Sequence, residues 1–196
     1  MARAGLTAER VVLAAAELAD EVGFENVTVS ALARGFGVKD ASLYSHVRNL
    51  QDLRTRVALL SVADFADRLT AAVAGRSRGE ALTAFGRAYR EFAVAHPGRY
   101  EATRLRIDPE LLADAPAYRR ILDTTYAVFH GYGLAEPDLT DAVRLVRSAF
   151  HGFAALESSG GFDHPRPVAE SFERGLAALH LVLENWPRTA GPDPAP

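Results

Sequence analysis

Between Lys39 and His46 the chain sets Lys39, Asp40, Ala41, Ser42, Tyr44, Ser45 and His46 around one apolar residue, Leu43. These side chains are small, polar or aromatic, and at helical spacing they form a narrow face rich in hydrogen-bonding groups. Reading the major groove of duplex DNA requires such a face, because each base pair there presents its own pattern of donors, acceptors and methyl groups. The solvated face of an ordinary helical hairpin has the same composition, and periodicity alone leaves both readings open. Bond-making chemistry has less to stand on. The chain has no cysteine, which excludes disulfides, zinc-thiolate sites and thiol catalysis. Its six histidines lie far apart in sequence and form no HExxH pair, and there is no GxSxG elbow, P-loop or paired-carboxylate motif. Gly35-Phe36-Gly37 begins like a dinucleotide fingerprint, but it follows a helix instead of a strand and lacks the third glycine. No catalytic residue, cofactor or metal ligand is expected.

The elements that must hold the polar face follow from the pattern on either side of it. Residues 7–22 start at an N-cap threonine, Thr7, carry Val11, Val12, Ala15, Leu18, Ala19 and Val22 at spacings of three and four, and stop at Gly23. Thr28 caps a short helix with Val29, Leu32, Ala33 and Phe36, which ends at Gly37. Residues 39–46 form a third short helix. Two short helices that cross must approach closely, so the small Ala33 belongs where the backbones meet and Gly37 where the turn needs a positive φ. Val38 and Leu43 then fill the core beneath. Asn49 is spaced from Asp52 as in a capping box and opens a long helix toward Gly75. Further helices are predicted over residues 79–95, 97–106, 118–132, 139–157 and 168–186, separated by Gly or Pro breaks. No convincing strand alternation occurs, and the fold class is all-α.

With 196 residues, 48% apolar and 24% charged, the composition is that of a folded protein with a sizeable core. No apolar run approaches the roughly 20 residues of a membrane-spanning helix, and residues 1–7 lack the apolar core of a signal peptide, so a cytoplasmic location is expected. The formal net charge of -3 argues against a nonspecific nucleic-acid coat. The acidity is unevenly spread. Residues 1–60 hold seven basic and seven acidic side chains, so the excess of acid lies wholly beyond them.

The stretch from Thr28 to Val47 resembles the DNA-binding region of the TetR family of repressors, through Gly37-Val38 in the turn and Leu43-Tyr44-Ser45-His46-Val47 at the end of the recognition helix. The resemblance covers residues 7–53. It implies that Tyr44 and its neighbours Lys39, Asp40, Ala41, Ser42, Ser45 and His46 face DNA, with Ser30 and Arg48 beside them, and that Thr28 sets a helix N-terminus on a phosphate. One position departs from the family pattern: Leu50 stands where a lysine usually follows the residue that opens the fourth helix. That phosphate contact is then missing or supplied by Arg48 or Arg54.

Phe92-Ala-Val-Ala-His-Pro-Gly-Arg-Tyr100 and the segment around Phe150-His151-Gly152 resemble the regulatory domain of TetR-like proteins with a Trp-His-Gly signature, Phe150 replacing the tryptophan. The aromatic residues Phe85, Tyr89, Phe92, Tyr126 and Phe150, with Arg104, His130 and His151, are expected either to pack a core or to line an apolar pocket with polar anchors. Residues 139–157 and 168–186 carry more apolar positions than one stripe needs, and Val143, Val146, Phe153, Phe172, Leu176, Leu179 and Leu183 are expected at a two-fold helical interface between two copies. The domain plan is a helix-turn-helix domain over 1–48, a ligand-binding and dimerisation domain over 49–187 and a flexible tail over 188–196. The functional expectation is a homodimeric repressor that binds palindromic double-stranded DNA and is released by a small molecule. A helical carrier or enzyme with a purely structural N-terminal hairpin is the alternative.

Overall fold

The computed structural model describes residues 6–108 and 115–187, and the 188–196 tail lies outside them. Among the described residues there are nine α-helices, one short 3-10 turn and no strand. The helices are α1 (Ala8–Val22), α2 (Val29–Phe36), α3 (Asp40–Leu43), α4 (Leu50–Val73), α5 (Arg78–Ala95), α6 (Pro97–Ala102), α7 (Pro116–His130), α8 (Asp138–Ser158) and α9 (Val168–Glu184). The expected start signals act as anticipated at α1 and α2. Thr7 Oγ1 accepts from the Arg10 amide at 3.3 Å, and Thr28 Oγ1 accepts from the Ala31 amide at 3.2 Å, each satisfying an amide that the first helical turn leaves unpaired.

The described residues form two compact units. The first contains residues 6–67, 95–108 and 115–119. Its core gathers Val11, Ala15 and Ala19 of α1, Phe24 and Val27 of the link, Leu32 and Ala33 of α2, Leu43 of α3, Leu53 and Val57 of α4 and Ala102 of α6. All are less than 5% exposed, so the stripe of apolar residues at helical spacing in each short helix is consumed by one shared core. The turn Phe24–Asn26 was not foreseen. It follows Gly23, at φ 88°, and drops Phe24 into that core.

The second unit contains residues 68–94 and 120–187. Its core is aromatic: Phe150 sits 5.5 Å from Tyr89, 6.3 Å from Phe85 and 5.9 Å from Phe172 between ring centroids. Leu82, Phe92, Phe129, Leu176 and Leu183 are buried with them. On its surface Arg87 makes a two-pronged ion pair with Glu173, both contacts at 2.7 Å, and the part-buried Arg90 pairs with Glu157.

Two helices are shorter than expected. Regular helix in α3 stops at Leu43, where the His46 amide donates to the Leu43 carbonyl three residues back and Ser45 Oγ donates to the Ser42 carbonyl. A hydroxyl that competes for a backbone carbonyl favours such a tightened turn over continued helix. The predicted helix to residue 106 stops at Ala102, where Thr103 Oγ1 donates to the Tyr100 carbonyl at 2.7 Å and the chain turns to bury Ile107.

Candidate nucleic-acid interface

The turn between α2 and α3 decides which side chains remain outside. Gly37 adopts the left-handed conformation, φ 65° and ψ 35°, which glycine enters without the strain a Cβ would add. The Val38 amide donates to the Ala33 carbonyl at 2.9 Å. Ala33, at 1% exposure, and Leu43, at 0%, occupy the crossing of the two helices. Val47 is buried behind them. Lys39, Asp40, Ala41, Ser42, Tyr44 and Ser45 are left exposed, with His46 half-buried. The two ends of the motif also meet: the Ser30 hydroxyl on α2 donates to the Asp40 carboxylate at the start of α3.

The fourth helix starts at a cap with more charge than the spacing suggested. Asn49 Oδ1 accepts from the Asp52 amide at 2.8 Å, and Asp52 accepts in return from the Arg48 amide at 2.9 Å, one residue earlier than in a standard capping box. Asp52 also pairs with the guanidinium groups of Arg48 at 3.2 Å and Arg56 at 3.1 Å. Burial alone would raise its pKa. The Arg48 amide and hydrogen bonds from Arg56 and Arg48 outweigh that and hold the carboxyl below the ordinary aspartate value.

Leu50 packs against the first unit's core, which explains its place in a position where a lysine would reach for phosphate. Arg54 is turned inward: it donates to the Glu25 carbonyl, pairs with the Glu25 carboxylate at 3.1 Å and lies over the Phe24 ring at 5.9 Å. The Arg48 side chain is 82% exposed. Of the two substitutes considered for the missing lysine, Arg48 is the one with its head group at the surface.

The residues of the expected pocket set fall in different settings. Phe85, Tyr89, Phe92 and Phe150 are buried against other side chains in the second unit, so they pack its core. Tyr126 and His130 are exposed on α7, and His151 is half-buried on α8. Arg104 belongs to the first unit, where it lies over the Tyr100 ring at 5.8 Å. A groove of about 1550 Å3 does occur in the second unit, lined by charged residues that include Arg68, Arg76, Arg87, Glu91 and Glu173, with His180 beside them. Aromatic content could not have revealed it, because its walls are mostly arginine, glutamate and alanine and hold no Phe, Tyr or Trp.

The expected interface set divides as well. Val146, Phe172, Leu176 and Leu183 are at most 4% exposed within a single chain and pack in its own core. Val143, Phe153 and Leu179 are half-buried. The apolar residues that α8 and α9 leave open are Leu145, Leu156, Leu181 and Val182, between 42% and 59% exposed. Beside them Gly152 and Gly175 have open space where a Cβ would stand. The signal was present in the sequence as the second stripe of each helix, offset from the stripe chosen.

Comparison with known proteins adds an independent line. Residues 11–57 match the family described as "Bacterial regulatory proteins, tetR family", and residues 82–179 match "Tetracyclin repressor-like, C-terminal domain". Neither description mentions a Trp-His-Gly signature. The chain is 32% identical over 185 residues to the uncharacterized HTH-type transcriptional regulator YobS of Bacillus subtilis, covering 93% of this chain and 96% of that one. Its fold is similar to BioQ solved with its natural double-stranded DNA operator, at a TM-score of 0.63 and 23% identity over 92% of this chain and 99% of that one. It is also similar to a TetR variant from Acinetobacter baumannii in complex with minocycline, at a TM-score of 0.66 and 20% identity over 94% and 100% of the two chains.

Proposed function

Since this chain belongs to the TetR family of bacterial transcriptional regulators, we propose that it is a non-catalytic, homodimeric repressor whose α3 reads a near-palindromic operator and which a small molecule releases from DNA. The observation that carries the DNA-reading part is the exposed set Lys39, Ser42, Tyr44 and Ser45 standing on a core closed by Leu43 and Val47. Residues 1–48 are the DNA-binding module in this reading, with Thr28, Ser30, Asp40, Ala41, His46 and Arg48 completing its contact surface, and 49–187 carry regulation and dimerisation. Arg48 takes the phosphate that Leu50 gives up. Two copies join through the outer face of α8 and α9, around Leu145, Leu156, Leu181 and Val182, because a helix pair that leaves several apolar side chains exposed suits a two-fold four-helix bundle.

The likeness to a minocycline complex and the match to a tetracyclin repressor-like domain support an effector step. The effector would enter among the helices of the second unit, and if it enters the buried aromatic cluster it displaces side chains such as Tyr89 or Phe150. An effector that lowers operator affinity tenfold must favour the non-binding arrangement by about 1.4 kcal/mol. No helix among the described residues is long and apolar enough to cross a membrane, and we place the regulator in the cytoplasm with the DNA it reads.

Selection of bound fragments from the source genome, followed by gel shift at rising salt, tests the reading. A sequence preference that persists as salt weakens phosphate contacts is expected. Binding without any preference would overturn it.

A further inference from the structure

Asp40 is the one acidic side chain in the exposed set of α3. A carboxylate on a DNA-facing surface is repelled by phosphate, so what it can favourably meet on the duplex is a donor on a base edge. Its position suits that contact: it opens α3, one turn before the exposed Tyr44 and on the same side of the helix, next to the exposed Lys39. It is also held in place. The Ser30 hydroxyl donates to one of its oxygens, which leaves the other able to accept and removes rotamer freedom before DNA arrives.

We infer that Asp40, oriented by Ser30, reads one base pair in each half of the operator by accepting from the N4 amine of a cytosine. This rests on the DNA-reading function proposed above. Two amines in the major groove could donate, cytosine N4 and adenine N6. Adenine carries its N7 acceptor beside N6, which repels a second acceptor, whereas cytosine offers its donor without that neighbour. Ser30 is a positioning residue on this account, and Lys39 supplies the phosphate contact that the acid cannot make.

The test uses the full-length protein. The wild-type operator is first defined by selection from random duplex DNA, and every single-base-pair substitution in one half-site is then measured by competition binding for wild type, Asp40→Ala, Asp40→Asn and Ser30→Ala. At one position, where wild type prefers cytosine, Asp40→Ala is expected to lower the discrimination about tenfold while preferences elsewhere stay unchanged. Asp40→Asn is expected to move that position toward adenine, because an amide can both accept from N6 and donate to N7. Ser30→Ala is expected to keep the cytosine preference and weaken it severalfold.

The inference is overturned if Asp40→Ala leaves the preference at every position unchanged. A uniform loss of affinity would mean that the Ser30–Asp40 bond only fixes α2 against α3. A uniform gain, with steeper salt dependence, would mean that the acid only repels the backbone. Should Asp40→Ala fail to fold, Asp40→Asn decides, and an unchanged preference in that variant also overturns the inference. If wild type itself selects no sequence, the failure lies with the DNA-reading function and not with the role given to Asp40.

Discussion

Tyr44 is 53% exposed, yet it follows directly on Leu43, which is not exposed at all. Adjacent residues in one turn of helix thus divide the labour between folding and recognition, and substitutions at the two should separate cleanly. Tyr44→Ala and Lys39→Ala are each expected to weaken operator binding by about 1–3 kcal/mol, while exposed substitutions of this kind change stability by only about 0.5 kcal/mol. Gel shift and thermal melting on the same samples check both halves of that statement. The two arginines near the start of α4 make a second contrast. Arg48→Ala is expected to flatten the dependence of log affinity on log salt by about one unit with little loss of stability. Arg54→Ala is expected to leave the salt slope alone and lower the melting temperature, because Arg54 ties α4 to Glu25 and Phe24.

Among elements, α6 shows how a six-residue helix is stabilised from far away in sequence. Pro97 at its first turn needs no amide partner, and the Arg99 amide in the same turn donates to Asp20 on α1 at 2.8 Å. The His96 ring nitrogen Nδ1 donates to the same carboxylate at 3.0 Å, and the Arg99 guanidinium lies 3.0 Å from it. Gly98 lets the two helices touch, since a Cβ there would stand 1.9 Å from the Ala19 carbonyl oxygen. Gly98→Ala is therefore expected to cost about 3 kcal/mol through overpacking, and Asp20→Ala about 1–3 kcal/mol by orphaning the Arg99 amide, both measured by urea unfolding. The cap of α4 adds a pH signature. The Asp52 pKa is lowered on folding from its ordinary 3.8, so its contribution is fully present above that value and is lost as pH falls through the lower folded-state value. The stability gap between wild type and Asp52→Asn should accordingly be constant from neutral pH down to about pH 5 and close below 3.8. A gap that widens in acid would contradict the assignment.

For the whole molecule the decisive surface is the one α8 and α9 leave open. Leu181, at 59% exposure, adjoins Val182, at 42%, on α9, while Leu145 and Leu156 stand open on α8, and several large apolar groups left open on one helix pair suit a protein partner. Leu181→Glu is expected to convert a dimer to a monomer at micromolar concentration by light scattering, whereas Leu179→Glu at the half-buried neighbouring position should disturb folding as well. The monomer should bind one half-site and lose the benefit of the palindrome, because two recognition helices fixed about one DNA turn, roughly 34 Å, apart bind as a unit. A Leu181→Glu protein that stays dimeric would move the interface elsewhere.

The sequence alone determined what is local. Thr7, Thr28 and Asn49 act within three residues of themselves, Gly37 answers to its own φ, and the spacing of Leu32, Ala33 and Leu43 is enough to bury them once two short helices cross. The helix-turn-helix and its outward face were legible for that reason. Tertiary structure decided everything that depends on which of two stripes turns inward. Phe150, Phe172 and Leu176 became core while Leu156 and Leu181 were left at the surface, and helical period cannot rank two apolar stripes on one helix, since burial depends on the neighbouring helix and not on the helix itself. The same holds for the cap of α6. Asp20 and Arg99 are 79 residues apart, and only the crossing of α1 and α6, set by a glycine with no side chain to signal it, brings a carboxylate to that amide.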